Sequence, residues 1–585
     1  MRKYVRILSL TIGLVVETYL LIELSVDIYQ TYFPLLWIVS LVCIGYFFWK
    51  KREKKASNFL LIEYFFVSCV TALFLFINLR DLTHWYFSVI NDEYAFFFLA
   101  KSIASGATVN IFSQEGVYGI IPVLSSYYQG MGMKIFGISN FGWKSSIILF
   151  VVSSFIPFYL LVRSFLGSFY ASTSLIILSF SHYLWAYLRT GYSNIESVAI
   201  SIWAMYFFSH GIPKKKSPQS DYRDLFYDQW ILFLSGVAAG FGFYTFFSAR
   251  STIAIMVIFI LCTSYRRQFR RIWIPMLVGF FATISPIVAV SKQQLVLRMI
   301  ERSSSHPVGT NLTGLRLIVN NIYHSIQAFF VTSNFGPYAS GPHVYGSLVD
   351  LVTAIFFGIG FICSLQKVNR PWYLLLFIWF WVALLVAGGF SQYAWTNVSR
   401  LYYLLPVVAI YASLGVQSVY EFMLPKVKKI HIVQKISNTP YWILHYWTLV
   451  MFGLAIGSIN VYRFYKVTPF HKPMSSQALT VMELTVGRCS TYPLSQVTVV
   501  GTDALVSTAK FAIESYNKQF PPYFTAENID LLKKDIDTYF CIVFIDPKNF
   551  NANLLRQYNI LLDEFHMYED YDPAKINHIE VLERK

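Results

Sequence analysis

The chain has 585 residues, 56% hydrophobic and 13% charged, with a mean hydropathy of +0.50. Soluble domains carry roughly 25% charged residues, so a water-soluble enzyme is excluded and a polytopic membrane protein is expected. The formal net charge of +16 falls in clusters between apolar segments, which points to membrane topology and anionic lipid and away from nucleic acid.

Apolar segments of about 20 residues can cross a bilayer as helices. Such segments lie at 4–24, 31–49, 59–79, 143–162, 168–187, 191–209, 229–247, 249–264, 272–290, 347–365, 371–388, 401–420 and 441–460. About thirteen spanning helices are therefore expected. Glu17 and Glu23 interrupt the first segment and, with no small-residue cleavage site, argue against a cleavable signal peptide.

Basic clusters occupy alternate loops: Arg2, Lys3 and Arg6; Lys50 to Lys55; Lys214 to Lys216; Arg266 to Arg271; Lys367 and Arg370; Lys426 to Lys429. The positive-inside rule places these loops and the N-terminus in the cytoplasm. The loops 80–142 and 291–346, and everything after 461, then face outward. Loops this long in a compact protein usually carry function. Within the first, 92–104 and 122–136 read as short amphipathic helices rich in Phe, Tyr and Met. Asn91 and Gly106 bound the first of these with a cap and a stop. Asp92 and Glu93 occupy its first turn, where acids also complement the helix dipole.

From 470 the composition changes. Val497 to Gly501, Phe540 to Ile545 and Ile579 to Leu582 read as strands, and 503–517, 527–535 and 548–556 as helices, which suggests a small α/β domain. Three parts result: a two-helix extension at 1–56, a transmembrane domain at 57–465 and an extracytoplasmic α/β domain at 466–585. Gly501-Thr502-Asp503 is neither a dinucleotide nor a P-loop fingerprint. Cys489 and Cys541 fit a disulfide in an outward domain and fit two core thiols equally well. His306, His324 and His343 are 18 and 19 residues apart, a spacing that matches no compact metal motif.

Four patches occur in an order that resembles the C-type (GT-C) membrane glycosyltransferases, in particular the protein O-mannosyltransferase-like group with the bacterial aminoarabinose transferases of lipid A. They are Asp92-Glu93-Tyr94 through Ser105-Gly106, Gly119-Ile120-Ile121-Pro122 through Phe136-Gly137-Ile138-Ser139, Arg189-Thr190-Gly191-Tyr192-Ser193-Asn194, and Ser399-Arg400-Leu401-Tyr402 through Pro406. Two departures stand out: the group often has Lys-Pro-Pro where this chain has Gly119-Ile120-Ile121-Pro122, and Asp where it has Asn194.

The resemblance implies transfer of a hexose or pentose from a polyprenyl-phosphate donor to a lipid, glycan or protein acceptor on the outer face, with inversion at the anomeric carbon. It implies Asp92 as the base or acceptor-positioning carboxylate. Glu93 then orients Asp92, or joins it in holding a divalent metal, or is simply a first-turn acid. Arg400, Arg189, Arg250 and Lys292, at outward helix ends, are the candidates for the departing phosphate, because guanidinium groups present a rigid charged fork. Tyr94, Glu115, Asn194 and Tyr402 are the candidates for substrate contact. The competing expectations are a transporter or flippase of lipid-linked glycan, and an inactive scaffold with the same fold.

Overall fold

In the computed structural model, residues 2–49, 61–80, 82, 91–119, 121–212, 228–263, 269–291, 312–333, 344–391, 398–427, 441–471, 476–514, 519–525, 527–546, 565–569 and 579–584 are described. The first thirteen α-helices are α1 (Arg2–Ser25), α2 (Phe33–Phe48), α3 (Leu61–Leu79), α4 (Asn91–Ala104), α5 (Val123–Phe136), α6 (Asn140–Val152), α7 (Phe155–Leu166), α8 (Ser168–Ser179), α9 (His182–Leu188), α10 (Glu196–Gly211), α11 (Gln229–Phe241), α12 (Ser251–Cys262) and α13 (Ile274–Ser291). Helices at Gly314–Phe330, Leu351–Leu365, Pro371–Leu384, Leu405–Val427 and Tyr441–Tyr462 follow.

Among the described residues, six stretches are long and apolar enough to cross a membrane: Tyr4–Ser25, Leu61–Leu79, Asn140–Leu166, Arg271–Ser291, Pro371–Gly389 and Val398–Phe422. The chain is a multi-pass membrane protein. Several of the thirteen expected segments form shorter helices. The 168–187 segment is an example, because Ser181 accepts a hydrogen bond from Leu184 N and so starts a new helix, α9, after α8 has ended. Hydrophobic periodicity alone does not register such a cap.

Local chemistry sets the two helices of the first long loop. Pro122 precedes α5 in an extended conformation that suits a helix start, and Gly137, at φ 93°, ends it in a backbone region that favours glycine. Ser139 then caps α6 by accepting from Gly142 N at 3.2 Å. On α4 the residues Glu93, Phe96, Phe97, Ala100 and Ile103 are all buried. Their three-to-four spacing makes one continuous face.

The α1–α2 hairpin docks on the rest of the bundle through a mixture of packing and polar contacts. Trp37 is buried, its ring 5.4 Å from that of Phe112 and 5.2 Å from that of Tyr244, and its Nε1 donates to the Ala282 carbonyl. Glu17, buried on α1, accepts from the Ser40 hydroxyl and, at 2.5 Å, from that of Ser285.

Beyond residue 496 the chain forms a five-stranded sheet in the order β2-β1-β3-β5-β4, from β1 (Val497–Val500), β2 (Tyr523–Phe524), β3 (Cys541–Ile545), β4 (Phe565–Glu569) and β5 (Ile579–Arg584). β1 runs parallel to β2 and β3, while β5 runs antiparallel to β3 and β4. Every residue of β1 and β3 is buried, as nearly continuous apolar runs in the middle of a sheet require. Cys489 and Cys541 form a disulfide across 52 residues of sequence. The 548–556 helix expectation lies outside the described residues.

Candidate functional site

The site grows from α4. Glu93 is fully buried, and its Oε1 lies 3.6 Å from the ammonium of Lys144, which is itself 2% exposed. Lys144 sits in the first turns of α6, next to Trp143, and the capped start of that helix aims it at α4. Two ions taken out of water together are held by mutual attraction, and each is costly to leave alone. The Asp92 and Tyr94 side chains, on the same turn of α4, lie outside the described residues, as does Lys292.

Facing this pair is the turn that follows α9. Gly191 has φ 73°, and a Cβ there would lie 2.4 Å from the Trp143 indole. Only glycine combines that backbone with so close an approach. Its carbonyl accepts from Gln129 Nε2 of α5 at 2.9 Å, and the adjacent Tyr192 ring is 5.2 Å from Phe96 of α4. Arg189 lies within electrostatic reach of Lys144. Its Nη2 donates to the carbonyls of Ile77 and Arg80, both at 2.7 Å, and its guanidinium sits over the Phe464 ring. It therefore closes the C-terminal end of α3, where orphan carbonyls call for a cation.

A second polar group converges beside it. Asn194 and Tyr402 are both buried and their side chains are neighbours. The Arg400 guanidinium and the Glu196 carboxylate are within electrostatic reach of the same Tyr402 hydroxyl. Glu196 opens α10, is 2% exposed, and accepts from the Ser125 hydroxyl of α5 at 2.6 Å. Among the described residues its Oε1 has no hydrogen-bond partner. Ser125 also donates to the Tyr244 carbonyl at 3.3 Å. Arg400 lies 4.6 Å over the Phe247 ring, and Arg250 lies 5.4 Å over that of Phe243, so both guanidiniums stand against the aromatic segment 243–250. Such stacking uses the guanidinium faces, whereas the N–H donors of the fork lie along its edges.

Of the residues expected from the sequence, Asn194, Tyr402 and Arg400 are thus brought together, and Glu93 and Arg189 both lie within electrostatic reach of Lys144. Glu115 is exposed on the loop between α4 and α5. Lys144 and Glu196 were not singled out by sequence reasoning. Both carried a signal, since an ionisable residue in or at the start of an apolar segment is a functional hypothesis by default.

The donor set also bears on a metal at Asp92 and Glu93. An ammonium already neutralises the Glu93 carboxylate, an arrangement that does not suit a divalent cation on the same oxygens. Among the described residues a grouping of metal-ligating type occurs at Glu483, Cys489 and Cys541, but its two sulfurs are joined to each other.

Residues 121–289 match the family model described as dolichyl-phosphate-mannose-protein mannosyltransferase. No curated protein matches the chain by sequence. Among solved structures, the chain is similar to ArnT from Cupriavidus metallidurans in the apo state, at 12% identity over 89% of this chain and 97% of that one, with a TM-score of 0.50. ArnT bound to undecaprenyl phosphate gives 13% identity, the same coverage and a TM-score of 0.49. The oligosaccharyltransferase AglB from Archaeoglobus fulgidus, in complex with an inhibitory peptide and a dolichol-phosphate, gives 12% identity over 89% of this chain and 74% of that one, with a TM-score of 0.46. A family model over residues 121–289 and a similar fold over most of the chain thus stand beside the C-type resemblance of the sequence patches.

Proposed function

We propose that this protein is a membrane glycosyltransferase that moves a sugar from a polyprenyl-phosphate carrier to a hydroxyl-bearing lipid, glycan or protein acceptor. The observation that carries the reading is the convergence of Asn194, Glu196, Tyr402 and Arg400 next to the helix that bears Asp92 and Glu93. Cations stacked on aromatic rings suit a lipid phosphate, and a buried carboxylate oxygen such as Glu196 Oε1, which has no hydrogen-bond partner among the described residues, suits a sugar hydroxyl.

In this reading Asp92 takes the proton of the acceptor hydroxyl as that oxygen bonds to the anomeric carbon. The bond from that carbon to the phosphate oxygen breaks, its electron pair stays on the phosphate, and the configuration inverts. Arg400 and Arg250, with Lys292, stabilise the released polyprenyl phosphate. Lys144 holds Glu93 in place beside the base. Alternate basic loops support an N-terminus in the cytoplasm, with the site and the sheet-bearing segment 466–585 on the opposite face. The division into 1–56, 57–465 and 466–585 belongs to the same reading.

The test is sugar release from a panel of radiolabelled polyprenyl-phosphate sugars by purified protein, with membrane extract as the acceptor source. Transfer by the wild type and its near-complete loss in Asp92→Asn are the expected results. Arg400→Ala is expected to weaken donor use by about 2–3 kcal/mol, the range for a charge-assisted contact to phosphate. No turnover with any donor from well-folded protein would overturn the reading and favour a transporter or a scaffold.

A further inference from the structure

We infer that Phe511, on a helix of the sheet-bearing C-terminal region, is a positioning residue for the candidate site, acting through a line of three aromatic rings. The helix Asp503–Glu514 lies directly on α4. The Phe511 ring is 5.3 Å from that of Phe97, the Phe97 ring is 5.5 Å from that of Trp143, and both contacts are edge-to-face. Trp143 precedes Lys144, whose Nζ lies over the Trp143 ring and pairs with Glu93. Trp143 is also the ring that Gly191 approaches without room for a Cβ. The line thus starts in the C-terminal region and ends at both halves of the buried pair and at the turn carrying Asn194.

Packing shows the same continuity. Phe96, Phe97, Ala100, Met133, Trp143 and Tyr192 share one buried cluster with Leu479, Val499, Phe511, Cys541 and Val581. One face of the C-terminal sheet, its helix Asp503–Glu514 and the wall of the site thus share one apolar cluster, while the other face of the sheet packs in a separate one. An ion pair, Lys101 to Glu514 at 3.5 Å, crosses the same interface but is partly exposed. Exposed pairs contribute little and buried aromatic contacts contribute more. Phe511 and not Glu514 is therefore the residue that matters.

The test is hydrogen exchange on the full chain in lipid nanodiscs, comparing Phe511→Ala, Phe511→Leu, Glu514→Gln and Leu582→Ala. Leu582 is buried in a separate cluster of the same sheet, with Val500, Ile542 and Phe544, so its truncation loosens the sheet without touching α4. Phe511→Ala is expected to speed exchange of amides 93–104 and 140–146 by about tenfold, with Phe511→Leu restoring most of the protection. Glu514→Gln is expected to change little. Leu582→Ala is expected to speed exchange in 579–584 and in the strands paired with it, 541–545 and 565–569, and to leave 93–104 unchanged. Unchanged exchange at α4 in Phe511→Ala, or an equal increase there in Leu582→Ala, would overturn the inference. A second readout rests on the proposed transferase activity: Phe511→Ala should lower kcat with the donor KM held within about twofold, since orientation and not affinity is lost. A wild type without transferase activity would count against that reading, and the exchange result would still decide this one.

Discussion

The buried pair of Glu93 and Lys144 shows how one contact governs two residues that sequence treats separately. Glu93 has a local explanation as an acid in the first turn of a helix, whereas Lys144 has none inside an apolar segment until α4 is placed beside it. Removing one member of a buried pair strands the other charge. Glu93→Ala is therefore expected to destabilise the protein by about 3–5 kcal/mol, and the double variant Glu93→Ala/Lys144→Met to recover much of that loss. A double-mutant cycle on thermal unfolding in detergent measures this, and additive losses would show that the two side chains do not depend on each other. Tyr402 and Asn194 were legible as candidates from their patches, yet the carboxylate beside them, Glu196, was not. Its significance lies in Ser125 and Tyr402, 71 and 206 residues away in sequence.

At the scale of single elements, caps and breakers decided most boundaries. The ends of α4 and α5 follow from Gly106, Pro122 and Gly137, which act within a few residues of themselves. The strands Val497–Val500 and Cys541–Ile545 announce themselves as apolar runs interrupted at Thr498 alone, whereas β4, Phe565–Glu569, mixes polar and apolar residues and has no such mark. The turn at Gly191 is a case where a backbone requirement and a packing requirement coincide. Gly191→Val is expected to destabilise by about 2–4 kcal/mol through overpacking and a disfavoured φ, and thermal unfolding beside Gly106→Ala, where a Cβ meets nothing, separates the two causes. The disulfide from the start of β3 to Cys489 closes a loop worth about 4 kcal/mol in chain entropy. Cys489→Ser/Cys541→Ser should make the sheet region markedly easier to proteolyse, with no further effect of reductant. Reductant sensitivity persisting in that double variant would place the effect elsewhere.

Across the whole molecule, the α1–α2 hairpin and the C-terminal sheet hold the site region from two sides. The hairpin reaches Phe112 and Tyr244 through Trp37, and the C-terminal region reaches α4 through Phe511 of its helix Asp503–Glu514. For the hairpin two effects compete: the hydrogen bonds of Glu17 and the packing of Trp37. Ser40 and Ser285 also donate to carbonyls of their own helices, so they keep partners without Glu17. Glu17→Gln is thus expected to cost about 1 kcal/mol, and Trp37→Ala about 3–5 kcal/mol. Thermal unfolding of both variants decides the order, and the reverse ranking would make the carboxylate the anchor.

The sequence by itself determined that this is a helical membrane protein, where its apolar segments lie, the limits of the helix that carries Asp92 and Glu93, and its likeness to the C-type glycosyltransferases. The first three depend on composition, periodicity or short-range caps, which act over one or two turns of chain, and the likeness rests on the resemblance of four short patches in family order. Only the tertiary structure decided that Lys144 answers Glu93, that Glu196 and Arg400 meet at Tyr402, that Arg189 closes α3, and that Cys489 is bonded to Cys541. Those contacts join residues tens to hundreds of positions apart. Their existence follows from how whole helices pack, and no local pattern encodes it.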